Sequence, residues 1–100
     1  MSYVTVTNMS DDLTGLPLKK CTVMGIPEEV AMSRFPVDFK CRKKKSILFG
    51  DGFRDAVKVE AFPHLVFEEL RKMGFELITS SSVHKNYVIW TFAKKYCEFS

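Results

Sequence analysis

The chain is 100 residues long, 46% hydrophobic with nine Phe, and carries a net charge of +3. That length suits one domain over residues 1–100, with apolar residues enough for a packed core at a size where stability margins are thin. The charge is too weak to imply nucleic acid by itself, no apolar run reaches membrane-spanning length, and residues 1–12 lack the basic start and apolar stretch of a secretory signal.

YVTVTN at residues 3–8 alternates and is β-branched, which predicts a strand. MSDDLTGLP at 9–17 carries turn formers and an acidic pair and is expected to be a loop. LKKCTVMG at 18–25 predicts a second strand closed by glycine. In IPEEVAMSRFP, Pro27 suits the first helical position, and Glu28 and Glu29 sit favourably toward the helix dipole. Pro36 stops the helix after about two turns. The basic run KCRKKK at 40–45 leads to ILFGDGF, with turn chemistry at Gly50, Asp51 and Gly52. AVKVEA at 56–61 alternates as a strand.

The clearest element follows. Pro63 suits a helix start, although Phe62 is a poor N-cap. Phe62, Val66, Leu70 and Met73 form one helical stripe. Glu68 is spaced to reach Arg71 and Lys72, and Glu69 to reach Lys72, worth a few tenths of a kcal/mol per pair. Gly74 supplies a left-handed stop, with Phe75 placed to meet Leu70. FELITSS and NYVIWTFA then pair as an antiparallel hairpin around residues 82–85. In the second strand Tyr87, Ile89, Thr91 and Ala93 share one face, and Asn86, Val88, Trp90 and Phe92 the other. Both faces carry large apolar groups, so one is expected to be covered by helices and the other by a partner. The order β-β-α-β-β-α-β-β gives an α+β fold: a mainly antiparallel sheet of about six strands with two helices packed on it.

Chemistry is sparse. The Gly50–Asp51–Gly52 segment is too short for a phosphate loop and is expected to be a plain turn. His64 and His84 have no Cys or acid at ligand spacing, so a metal site is not expected. Cys21, Cys41 and Cys97 are widely spaced and odd in number, which fits reduced thiols and a cytosolic or nuclear protein. None of them has a base arranged to activate it, and no acid–base pair stands out. The chain is therefore not expected to be an enzyme or to carry a cofactor. The basic run supports three readings: a solvated edge that discourages aggregation, a contact for an acidic protein, or a contact for nucleic acid or another anion. No aromatic interleaves it to stack bases, which disfavours nucleic acid. Ser80, Ser81 and Ser82 suit either a hairpin turn or a polar rim that meets a ligand or neighbouring subunit.

The order of several of these marks resembles the GTP cyclohydrolase I feedback regulatory protein family. The matching residues are SYVTVT at the start, TVMG at 22–25, FGDGF at 49–53, and then Pro63, Val66, Leu70, Gly74, Phe75, Val83, Ile89, Trp90 and Lys94. The likeness covers nearly the whole chain, and none of its motifs is catalytic. The chain departs from the family pattern by a longer 9–17 loop, an extra residue between Phe53 and Pro63, another near Lys85 and Asn86, and a tail at 96–100.

The resemblance implies a small α+β domain that assembles as a ring-shaped homopentamer and docks on decameric GTP cyclohydrolase I. It implies a non-catalytic regulator through which tetrahydrobiopterin inhibits that enzyme and phenylalanine stimulates it. The partner and effector contacts it implies are Asn8, Met9 and Ser10 after the first strand, and Val83, His84, Lys85 and Asn86 at the last hairpin. Lys85 stands near a polar amide position of the family, a place that the extra residue could instead give to His84 or Asn86. Two further classes remain: a small-ligand (amino-acid) sensor domain, and a basic nucleic-acid-binding domain whose affinity would fall steeply with salt.

Overall fold

In the computed structural model, the described residues are 2–49, 52–84 and 86–94. They form β1 (Ser2–Ser10), β2 (Pro17–Met24), α1 (Glu28–Arg34), a 3-10 turn (Val37–Phe39), β3 (Arg42–Phe49), β4 (Gly52–Val59), α2 (Pro63–Lys72), β5 (Glu76–His84) and β6 (Tyr87–Lys94). The expected α+β fold is what the chain adopts. One six-stranded sheet runs in the order β3-β4-β2-β1-β6-β5, and every neighbouring pair in it is antiparallel.

The alternation of β1 sorts its side chains. Val4 and Val6 are fully buried, while Tyr3 and Met9 point to the opposite face and are exposed. Across the ladder, Val4 pairs with Phe92 and Val6 with Trp90 on one side, and Val6 pairs with Val23 on the other. Val23 in turn pairs with Val57. Because side chains two apart share a face, this register lays one apolar stripe across the central strands. The helices cover it: α1 packs over β4 and α2 over β2. Phe35, Phe39, Val66, Leu70 and Phe75 complete the buried cluster. Burial of each large side chain in it contributes about 1.5–3 kcal/mol.

The α2 boundaries follow the sequence. Pro63 is the first helical residue after Phe62, whose side chain makes no capping bond. Gly74 has φ +93, the Gly74 N–H donates to the Arg71 carbonyl, and the Phe75 N–H donates to the Leu70 carbonyl at 3.0 Å. This pair of bonds is the glycine-terminated stop that satisfies the last carbonyls of a helix. Of the expected surface pairs, Lys72 meets Glu69 at 3.0 Å.

Several boundaries differ from expectation. β1 runs through Met9 and Ser10, and β2 begins at Pro17, so the loop is confined to residues 11–16. Pro27 is the N-cap and not the first helical residue, with ψ 145 and its carbonyl accepting from Ala31. Phe62 leaves the helical stripe and is 37% exposed, stacked on His64 at 6.0 Å. Ser80, Ser81 and Ser82 are strand residues of β5, paired with Trp90, Ile89 and Val88. The strand continues to His84, which removes the reading of the serines as the hairpin turn; the ladder to β6 overrides their weak strand preference. Gly50, Asp51, Lys85, Cys97 and the 96–100 tail lie outside the described residues. Among the described residues, no helix is long and apolar enough to cross a membrane.

Candidate functional site

The two segments proposed as contacts meet at one end of the sheet. β1 and β6 are antiparallel neighbours, so the end of β1 lies beside the start of β6, with Met9 opposite Tyr87. The Ser10 N–H donates to the Asn86 carbonyl at 2.7 Å. The Asn86 side-chain amide donates to the Asp12 carboxylate. Asp12 belongs to a loop organised by Asp11, whose carboxylate accepts from the Leu13 N–H at 2.7 Å and the Thr14 N–H at 3.2 Å. A turn built on such a carboxylate is self-supporting. Val83 and His84 end β5, with His84 opposite Tyr87, and so lie at the same end. Lys85, between them and Asn86, lies outside the described residues.

Asn8 has a different task from its neighbours. It is 4% exposed, and its side-chain amide donates to the Leu18 carbonyl at 2.9 Å and the Lys20 carbonyl at 2.8 Å. The ladder between β1 and β2 shifts register here, from Asn8 opposite Cys21 to Ser10 opposite Pro17. A bulge of this kind leaves strand carbonyls without ladder partners, and the Asn8 amide supplies them. Met9, by contrast, is 54% exposed. Asn8 therefore holds the surface together from beneath, while Met9, Ser10 and Asn86 stand at it.

Cys21 sits against this brace. Its thiol donates to the Ala61 carbonyl at 3.4 Å and lies 3.8 Å from the Asn8 amide nitrogen. Burial pushes it up to about 11, partly offset by the bond from Asn8. Burial also raises Cys41. Both are free thiols held in the unreactive neutral form. Among the described residues, no group of three or more His, Cys, Asp or Glu side chains is placed to hold a metal ion.

On the face away from the helices, the same strands enclose a hollow of about 340 Å³. Thr7, Met9, Lys20, Met24, Lys58 and Tyr87 are among its lining residues. Lys58 alternates with buried Val57 and Val59, so its side chain faces away from the core. It lies directly opposite Thr22 on β2 and Arg42 on β3. Glu60 engages Arg42 at 3.4 Å and Lys40 at 3.7 Å. The basic run thus begins just after the 3-10 turn and continues into an edge strand, β3, where charge discourages edge-to-edge aggregation. The hollow was not foreseen. Its one local signal was Lys58, set between Val57 and Val59 in AVKVE.

No protein-family model matches the chain, and no curated protein matches it.

Proposed function

We propose that the chain is a non-catalytic regulatory subunit that docks on GTP cyclohydrolase I, transmitting inhibition by tetrahydrobiopterin and stimulation by phenylalanine, and that it works as a homopentamer in the cytosol or nucleus. The observation that carries this reading is the convergence at one end of the sheet. Met9 and Ser10 lie over seventy residues from the end of β5 and Asn86 in the chain, yet the Ser10–Asn86 and Asn86–Asp12 bonds hold the two segments together. A contact surface on a braced sheet end presents a fixed shape and loses little entropy on docking. The ordered resemblance described above adds the identity of the partner and effectors.

In this reading the effectors act only through their different affinities for the free and docked states. A coupling of about 1–3 kcal/mol per site is typical of such regulation. A ring meeting a ring multiplies it, because each contact after the first is intramolecular.

The test mixes the chain with GTP cyclohydrolase I, with and without phenylalanine, and follows complex mass by light scattering together with turnover. The expected result is a complex that grows with phenylalanine and a matching change in rate. The double variant Lys85→Ala/Asn86→Ala is expected to stay folded and to lose docking or effector response. Undiminished docking and response in that variant would reject the assigned contacts. No complex under any effector condition would reject the function.

A further inference from the structure

We propose that the hollow on the uncovered face of the sheet binds a small organic anion with a ring-sized apolar body, its phosphate or carboxylate head held by Lys20 and Lys58. The inference does not rest on the regulatory reading and concerns the chain by itself.

Charge is the first ground. Lys58 stands directly opposite Arg42 across the β3–β4 ladder, a like charge that leaves Lys58 in a positive setting. The nearby carboxylate of Glu60 is engaged by Arg42 and Lys40. Among the described residues, neither Lys20 nor Lys58 has an ion-pair partner. Lys20 and Lys58 therefore line one concavity with no ion-paired carboxylate among the described residues, and a concave surface of one sign focuses its field on an incoming counter-charge.

The second ground is the rest of the lining. Met9, Leu18, Met24 and Tyr87 supply apolar and aromatic surface, and Thr7 and Thr22 supply hydroxyls. Methionine surfaces adapt to flat rings, and an apolar wall with a few placed polar groups is the usual form of a small-molecule site. The volume of about 340 Å³ is at the small end for such sites, which suits one ring system and excludes a dinucleotide. A bare inorganic anion would leave the apolar wall wet. A neutral ring would leave the ammonium groups unanswered.

The third ground is construction. The bulge in β2 that the Asn8 amide stabilises falls at Leu18 and Lys20, both of which line the hollow. Bulges re-aim side chains next to functional sites.

The experiment uses the full chain with carbon-13 methyl-labelled methionine. Met9 and Met24 report on the hollow. Met32 on α1 and Met73 after α2 lie on other elements and serve as internal controls. Four probes are titrated: phenyl phosphate, benzoate, inorganic phosphate and benzyl alcohol. Saturable shifts of the Met9 and Met24 methyls with phenyl phosphate or benzoate are expected, with Met32 and Met73 unmoved. The tighter of those two identifies the head group. Inorganic phosphate and benzyl alcohol should bind at least about tenfold more weakly. In Lys20→Gln/Lys58→Gln, which removes the charges and keeps a polar side chain on a shorter stem, affinity for the aromatic anion should fall by at least about tenfold, with the control methyls unchanged. The proposal is overturned if neither aromatic anion moves Met24, if the double variant binds as the parent does, or if benzyl alcohol binds equally well.

Discussion

Replacing Asn8 by alanine tests the brace beneath the sheet end. The Asn8 amide makes two bonds to carbonyls, of 2.9 Å to Leu18 and 2.8 Å to Lys20. Alanine removes both and leaves two carbonyls of the bulge without partners. Each net hydrogen bond is worth about 1 kcal/mol, more where the abandoned group stays dry. The expected loss is therefore about 2–3 kcal/mol. For a domain of this size each kcal/mol lowers the Tm by about 4–8 °C, so the variant should melt on the order of 10–15 °C below the parent. Circular dichroism melts give the Tm, and urea titration gives the midpoint at unchanged slope. Asn8→Asp provides the discriminating comparison. An aspartate at neutral pH is isosteric but cannot donate, and it would face two carbonyl oxygens. It should be at least as damaging as alanine. A parent-like melt for Asn8→Ala, within about 2 °C, or for Asn8→Asp, would show that the two carbonyls do not depend on this amide.

Three other perturbations test the frame. Gly25 has φ +101, and a β-carbon there would lie 2.5 Å from the Tyr3 carbonyl oxygen. Gly25→Ala should cost about 2–3 kcal/mol, whereas Gly15→Ala, with φ +72 and nothing within 4 Å, should cost about 1 kcal/mol; equal urea midpoints for the two would refute the close approach. Trp90 meets Phe67 edge-on at 4.9 Å and is half-buried, so Trp90→Ala should lose about 2–3 kcal/mol, below the cost of a fully buried tryptophan; an unchanged thermal melt would contradict that contact. The buried Cys21 thiol is raised from 9.0 to about 11. The fold favours its neutral form, so its contribution is whole below pH 9 and is lost as pH rises through 11. The stability gap between the parent and Cys21→Ala should narrow across that window, and a gap that stays constant would show that the thiol does not titrate as its burial requires.

Local chemistry announced the parts of the fold that local chemistry decides. The alternation of residues 3–8 set the buried face of β1. Pro63 and Gly74 bounded α2 because one needs no N–H bond at a helix start and the other tolerates a positive φ. The errors arose where distant residues decide. β1 extends through Met9 and Ser10 because β6 pairs with it as far as Tyr87. The serines of β5 are strand because Trp90, Ile89 and Val88 lie opposite them. The 3-10 turn at Val37–Phe39 is too short for a periodic signal. At the candidate site, Met9, Ser10 and Asn86 were named through the family resemblance, and their meeting is a product of topology. The role of Asn8 was hidden, since nothing local distinguishes an asparagine that bonds a bulge from one that faces water. The outward aim of Lys58 was readable from its apolar neighbours, although the cavity it borders needed four strands to assemble.

The sheet has an even number of strands, each reversed relative to the last, so β3 and β5 run in contrary directions at its two margins. A second molecule related by rotation, laying its β3 beside this β5, would extend the hydrogen-bonded ladder without a break in sense and with the helices still on the same side. Two β3 margins brought together would instead set lysine and arginine against their own copies. Charge thus sets the β3 margin against its own copy, whereas a joint of β3 with β5 would be directional, and a directional joint repeats until it closes or runs on as a fibre.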